Sequence, residues 1–455
     1  MKVLYVVYDR PEHLMGPTVN ATRLLPRLRA AGVDATALVL HTGSHAPVVE
    51  TLKDSGVPVH VEPRRRYVRQ QIRWYLDRVP RFAPDVFVPN LSVAGWCASR
   101  YLRPAGIPTV AAYRREDAFY EAMLDRFVFG DRRDAVSGVM AVSRGVHERI
   151  ERRLGHPDPT GNGAAETSRT RSAWIPSGVP IPPKPTSRRD PFTLLALGRL
   201  ERYAKRIDRV VDAMIAVIRR YPRVRARIVG DGSCEAEVRE RIEGSGVAAS
   251  FDVVGRVGPD RLDAAITGAS VIIQLSELEG TPAALMDAMA AGVVPIARHC
   301  SGGVDDLIDD DVQGRLLPGN IDGAAERDAV TAAVGQYLDR PELWQRHAAA
   351  ARRRVVDTFS VDEMTRRWVR LLDEVSAAEP DRDAVTRRVA QPWTIPLPPR
   401  NPAFAHEDRR RKWMKRLMAT RSVVAFDAGA GQSSRAGQSS QMGQSSQSDR
   451  AGQAA

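Results

Sequence analysis

Ser276 to Gly319 reads SELEGTPAALMDAMAAGVVPIARHCSGGVDDLIDDDVQGRLLPG. The residues just before it, Val271-Ile272-Ile273-Gln274-Leu275, make an apolar, β-branched run of the length of a buried strand. Glu279-Gly280-Thr281-Pro282 then forms a loop ahead of a helical segment, Ala283 to Ala291, that stops at Gly292. Proline suits the first turn of a helix and glycine its exit. A strand that passes into a helix through such a loop presents free backbone N–H groups and the positive end of the helix dipole, so phosphate is the natural ligand. Glu279 stands on the loop, and Asp287, eight residues on, lies inside the helix. A ligand with both phosphate and sugar hydroxyls would use the turn and both acceptors.

The rest of the chain sets the frame for that turn. Its 455 residues, 43% hydrophobic, suffice for two domains with well-formed cores. No apolar run approaches the roughly 18 to 20 residues of a membrane span, and MKVLYVVYDRPEH opens directly into a strand, so the expected location is the cytoplasm. Cys97, Cys234 and Cys300 lie far apart, and the nine histidines are scattered, which gives a metal centre no support. The net charge of +12 is concentrated in two patches. Residues 64–81 hold seven arginines against Asp77, and residues 408–421 hold five arginines and two lysines against Asp408. Such patches suit an anionic surface, and the inner face of a membrane is preferred over nucleic acid, because aromatic residues beyond Trp74 and Tyr75 are not interleaved with the charge. The bland reading of both patches is a solvated face.

Read in order, residues 2–8 make a strand, 9–18 a loop with Gly16-Pro17 near its end, 19–31 a helix interrupted by Pro26, and 35–40 a second strand. This is a βαβ unit, which implies a parallel sheet with ligands at the carboxyl ends of its strands. Strands follow at 57–61, 85–88, 109–112 and 138–142. The basic segment 64–79 forms a helix with Val68, Ile72, Tyr75, Leu76 and Val79 on one face, and Ser143 caps a helix through Arg153. Residues 155–173 read as a surface loop, and the proline-rich 180–191 as a linker. A second alternation begins at Phe192, with strands at 192–197, 226–229, 251–254 and 271–275 and helices at 206–220, 234–243, 259–267 and 283–291. Helices then run from 324 to 378 with breaks near Pro341 and Phe359. Residues 391–404 hold five prolines and read as extended, 408–420 as a basic interfacial helix, and the GQSS repeat of the last 25 residues as disordered.

Several motifs stand in order along the second half: LALGRLERYAKRID at 195–208, IVGDG at 228–232, FDVVGRVG at 251–258, EGTPAALMDAMAAG at 279–292 and SGGVDDLIDDDVQG at 301–314. With AVSRGVHERI at 141–150 and IPSGVPI at 175–181, the chain resembles the retaining glycosyltransferases of family 4 over residues 1–378. The resemblance implies the GT-B fold: α/β, two doubly wound Rossmann-like domains facing a cleft, C-terminal helices returning to the first domain, and a disordered tail. The implied divisions are an acceptor domain at 1–182, a nucleotide-sugar donor domain at 190–355, a returning helix at 356–378, a Pro-rich and basic extension at 380–424 and a tail at 425–455.

The resemblance also implies roles. Arg199 and Lys205 hold the donor diphosphate, and two cations there stabilise the charge that develops as the sugar bond breaks. Lys205 stands one position further from Arg199 than is usual in the family, so Arg202 or Arg206 could share its role. Glu279, with these two, forms the catalytic set and meets the sugar hydroxyls; Asp287 meets the ribose, where the family has glutamate. Gly198, Gly230, Asp231, Gly280, Thr281, Pro282 and Ala283 border the donor, Arg256 and Val257 its base, and Gly16 lets the first domain approach the phosphates. Where many relatives carry a histidine this chain has Tyr113-Arg114-Arg115-Glu116-Asp117, of which Tyr113, Arg114 and Glu116 are placed on the acceptor side. No cofactor is expected beyond the nucleotide-diphospho-sugar donor, and no metal, the Asp309-Asp310-Asp311 string reading as a polar turn. The expected activity is a retaining, metal-independent transfer of a hexosyl type to a polysaccharide, glycolipid or lipid-linked glycan. The rival reading is a catalytically weak GT-B-like scaffold on an anionic surface, which the Asp287 and histidine departures favour and Arg199, Lys205 and Glu279 disfavour.

Overall fold

A computed structural model describes residues 1–9, 16–41, 47–65, 67–114, 116–155, 170–185, 190–300, 302–378 and 389. The expectations for residues 380–424 and 425–455, including the basic patch 408–421, lie outside them, as do Arg66, Arg115 and Ser301.

The first alternation runs β1 (Lys2–Asp9), α1 (Gly16–Ala30), β2 (Asp34–His41), α2 (Pro47–Asp54), β3 (Val59–Pro63), α3 (Val68–Phe82), β4 (Val86–Asn90), α4 (Val93–Leu102), β5 (Thr109–Tyr113), α5 (Ala118–Phe127), β6 (Gly138–Ala141), α6 (Arg144–Gly155) and β7 (Arg171–Trp174). The strands form a parallel seven-stranded sheet in the order β3-β2-β1-β4-β5-β6-β7. The second runs β8 (Thr193–Leu197), α7 (Ile207–Arg220), β9 (Arg225–Val229), α8 (Glu235–Glu243), β10 (Phe251–Gly255), α9 (Pro259–Ile266), β11 (Val271–Gln274), α10 (Ala283–Ala290), β12 (Val294–Arg298), α11 (Val304–Leu307), β13 (Arg315–Leu317), α12 (Ala324–Asp339) and α13 (Pro341–Thr358). Its six-stranded sheet is also parallel, in the order β10-β9-β8-β11-β12-β13. The last described helix, α14 (Val361–Ala377), returns to the first sheet.

Central strands such as β11 are buried on both faces, which is why they read as unbroken apolar runs rather than as alternations. In α14 the stripe Val361, Met364, Trp368, Leu371, Leu372 and Val375 follows helical spacing and joins the core of the first domain. Trp368 is fully buried against Tyr5 of β1, ring centroids 6.1 Å apart. Ser360 caps this helix by accepting the Glu363 N–H at 3.2 Å. The chain therefore crosses between the sheets twice, side by side: Val179 N–H donates to Phe359 O, and Val361 N–H to Val179 O.

Several elements depart from the expectations. The first helix begins at Gly16, so Gly16-Pro17 belong to its first turn rather than to a loop, and Pro26 sits inside it. Helices α2, α4 and α5 and strands β12 and β13 have no counterpart in the sequence reading. Arg171–Ala173 was assigned to the surface loop but forms strand: this polar edge segment has little apolar signal of its own and is fixed by pairing with β6. Of the basic segment, Arg64 and Arg65 precede α3, and Val68 is 44% exposed rather than on the buried face. Arg81 and Arg78 are drawn onto Asp77, at 2.6 and 3.8 Å, and Arg64, Arg65, Arg69 and Arg73 are exposed.

Candidate functional site

In the second sheet the strand order reverses between β8 and β11, and open parallel sheets take their ligands outside the carboxyl ends of strands at such a point. The loops there are built from glycine. A Cβ on Gly230 would stand 1.8 Å from the Gly198 carbonyl oxygen, so the turns after β8 and β9 touch backbone to backbone. Gly230 N–H donates to Gly255 O at 2.9 Å, carrying the floor on to β10. Arg256 and Asp231 face each other at 3.9 Å, both about half exposed, and Val257 packs partly against the core beside α10.

Lys205, on the loop after β8, meets Glu279, on the loop after β11, with Nζ and Oε1 2.6 Å apart. Their side chains are 21% and 8% exposed, and a backbone bond from Glu277 N–H to Ala204 O at 2.9 Å locks the two loops together. The other cations of the motif separate. Arg206 holds Glu326 at 2.9 Å and Asp322 at 2.6 Å and fastens α7 to α12, while exposed Arg202 pairs with Glu237 on α8. Arg199 is 64% exposed and pairs with Glu201 at 2.8 Å. Lys205 is thus the motif cation that the fold brings onto Glu279.

Across from this pair lie the carboxyl ends of the first sheet. A Cβ on Gly280 would come within 2.4 Å of the Arg114 carbonyl oxygen, so the loop bearing Glu279 is pressed against the end of β5. Gly302 and Gly303 back the same loop, Gly303 N–H donating to Gly280 O at 2.7 Å. Thr281 Oγ1 donates to Val142 O at 3.5 Å, Pro282 precedes α10, and Ala283 begins it. Asp306 Oδ2 accepts the Arg144 N–H at 2.8 Å, placing a carboxylate on the positive end of α6. Ser143 accepts the Val146 N–H at 3.4 Å and donates to Glu116 at 2.8 Å.

Asp287 does not stand open. Arg23 of α1 donates to its two oxygens at 3.3 and 3.5 Å and to Gly178 O at 3.2 Å. Burial pushes the Asp287 carboxyl above its usual range, and Arg23 opposes that shift. Gly16 is exposed at the start of α1, and nothing lies within 4 Å of where its Cβ would be. Tyr113 and Arg114 point to opposite faces of β5. Tyr113 is fully buried, its hydroxyl donating to Glu121 at 2.7 Å, and burial raises its pKa; strand alternation thus removes it from the acceptor side where the resemblance put it. The Asp309–Asp311 acids are engaged within the fold: Asp309 by Arg354, Asp310 by the Leu316 N–H at 3.0 Å, and Asp311 by Arg315 at 3.1 Å.

Arg23, Asn90, Arg144 and Asp306 were not singled out in the sequence. The one available signal was Arg23 with Asn20, two polar residues one turn apart within the apolar pattern of α1.

This geometry coincides with what the chain is similar to. Residues 180–354 match the family model of glycosyl transferases group 1. That match covers the second parallel sheet and the helices packed on it, less than half of the chain. An exopolysaccharide phosphotransferase of Streptomyces coelicolor is 25% identical over 57% of this chain and 26% of its own length. The 2-deoxystreptamine N-acetyl-D-glucosaminyltransferase of Streptomyces fradiae is 23% identical over 79% of this chain and 80% of its own. The chain therefore spans between about a quarter and four-fifths of the length of these curated relatives. Among solved structures, the pneumococcal O-GlcNAc transferase GtfA in complex with UDP and GlcNAc superposes with a TM-score of 0.65 at 12% identity, covering 82% of this chain and 99% of that one. HepE of Anabaena in complex with UDP gives 0.60 at 17% identity, covering 82% and 100%. These likenesses establish the GT-B fold.

Proposed function

We propose that the chain transfers a sugar from a nucleotide-diphospho-sugar, held by the second domain, to a glycan or lipid-linked acceptor at the first, with retention and without a metal. The observation that carries this reading is the Lys205–Glu279 pair at the switch point of the second sheet, pressed through Gly280 against the end of β5. When a donor enters, Lys205 would leave Glu279 for the diphosphate, and Glu279 would accept sugar hydroxyls. Arg199, exposed on the same loop, would close on the phosphates, so that charge on the leaving group meets cations as it develops. Front-face transfer then needs no separate base, because the departing phosphate can take the acceptor proton. Asp287 would reach the ribose on release from Arg23.

Two structural neighbours hold UDP, which makes UDP-sugars the first donors to try. A panel of nucleotide sugars, with product release followed in the presence and absence of a chelator and the anomeric proton read by NMR, tests the reading. Absence of turnover together with donor binding indifferent to Lys205→Ala would sink it. The engagement of Asp287 by Arg23 favours the second reading, a scaffold with weak catalysis. A biological activity unchanged by Glu279→Gln would support that scaffold.

The exposed arginines about α3 stand beside exposed Val61, Tyr67 and Val68, a mixture that suits an anionic membrane surface. Among the described residues no helix is long and apolar enough to cross a membrane. Co-sedimentation with phosphatidylglycerol vesicles that drops at least severalfold in the Arg65→Glu/Arg69→Glu double variant is the expected result; unchanged sedimentation would discard this surface.

A further inference from the structure

The first sheet has a switch point of its own, between β1 and β4, and a charge is buried there that the donor site does not use. Arg114 follows β5 and shares the face of Val110 and Ala112, which pack beneath α1 and α14. It reaches across the strand ends. Its Nη2 donates to the Tyr5 hydroxyl on β1 at 3.0 Å and to Asn90 Oδ1, at the end of β4, at 3.2 Å. Asn90 itself holds a left-handed backbone, φ 47°, and donates to Val6 O at 3.3 Å, which fixes the acceptor that receives the arginine.

Arg114 is 7% exposed, yet its Nε and Nη1 have no protein partner. A guanidinium carries five N–H donors and keeps its charge at any ordinary pH, so three donors remain when Nη2 is satisfied. A buried cation left so is costly unless an anion arrives. Asp9, buried at the end of β1, accepts the Val48 N–H at 3.0 Å. Asn20, on the helix that follows β1, is 3% exposed, and neither its amide oxygen nor its amide nitrogen has a protein partner. The unpartnered guanidinium at the switch point marks a place for a polar ligand and sets its sign, and Asn20 is a second buried polar side chain without a protein partner on the helix that follows β1.

We propose that Arg114 reads an anionic group, phosphate or carboxylate, on the acceptor that enters the first domain. This rests on the glycosyl-transfer reading and gives it a substrate class: an anionic acceptor, such as a phosphorylated sugar or a uronic acid, in preference to a neutral one. The test uses the full chain with the donor site filled by UDP and compares glucose 6-phosphate and glucuronate with glucose by calorimetry. One of the charged probes should bind about 10- to 100-fold more tightly than glucose, the range of a charge-assisted hydrogen bond. That preference should shrink in Arg114→Lys and vanish in Arg114→Gln. Equal binding of charged and neutral probes to the unaltered chain, which needs no variant to fold, overturns the proposal. So does a preference that persists in Arg114→Gln. UDP binding is scored separately, so a chain that binds UDP but ignores probe charge rejects the role of Arg114 alone, whereas failure to bind any nucleotide rejects the reading on which it rests.

Discussion

Lys205 and Glu279 show how much of a site can rest on two side chains that lie 74 positions apart and meet at 2.6 Å. On the proposed glycosyl-transfer reading, removing the cation takes away a stabiliser of developing charge, and losses of that kind run to roughly 10²- to 10³-fold. Lys205→Ala should therefore lower kcat/KM for the preferred nucleotide sugar by about that factor, with a smaller loss for Arg199→Ala if its role requires closure. Steady-state kinetics on both variants checks this, and equal losses would remove the distinction. His347 offers a pH test away from the site. It is fully buried, with Nδ1 2.9 Å from the Tyr337 hydroxyl and Nε2 3.1 Å from the Asp311 carbonyl oxygen, and burial depresses its pKa. The folded chain thus keeps His347 neutral where the unfolded chain, with a pKa of about 6.5, takes up a proton. Stability should fall as pH drops below that value, at most by about 1.4 kcal/mol per pH unit for the one proton, until the folded histidine is itself protonated. Chemical denaturation between pH 7 and 5 should show a flatter dependence in His347→Gln than in the unaltered chain.

At the scale of elements, α14 is the clearest case of a helix legible in sequence but placed only by structure. Its stripe from Val361 to Val375 declares an amphipathic helix; that the stripe packs on the first sheet, after the second domain has been completed, follows from Trp368 meeting Tyr5. Trp368→Ala should cost about 3 to 5 kcal/mol in urea denaturation, the range for deleting a buried large aromatic side chain. A cost below about 1 kcal/mol would mean that the helix is not a fixed part of the first domain. Most of the buried parallel strands and the helices beside the motifs could be read from apolar runs and glycine exits. What escaped was of another kind: the polar edge strand β7, ordered by its partner, and short pieces such as β13 and α11 whose signal is too brief for a period to show.

For the whole molecule the decisive contacts are those between the two sheets. Arg23 on Asp287, Asp306 on the start of α6, and Gly280 against the Arg114 carbonyl together hold the carboxyl ends of the two sheets face to face. The first of these joins partly buried charges, whose hydrogen bonds contribute about 1.5 to 3 kcal/mol. Arg23→Ala should leave Asp287 without its cation and loosen the two domains, read as faster hydrogen exchange in residues 175–185 and in α10 while the first sheet keeps its protection. Unchanged exchange in both segments would show that the ion pair does not hold the domains. In Asp287→Asn the carboxylate is gone, and nucleotide affinity should fall if the ribose contact is made on opening.

The sequence by itself determined two parallel α/β domains and the strand–loop–helix unit that carries Glu279 and Asp287, because strand runs, glycine exits and acid spacing are local features. It could not choose among Lys205, Arg202 and Arg206. Three cations within five positions look alike until the fold assigns Arg202 to Glu237, Arg206 to Glu326 and Lys205 to Glu279. Nor could it tell Tyr113 from Arg114, adjacent residues that strand alternation sends to opposite faces. Only the tertiary structure decided which charge finds a partner within the protein, since that depends on partners brought from strands and helices distant in the chain.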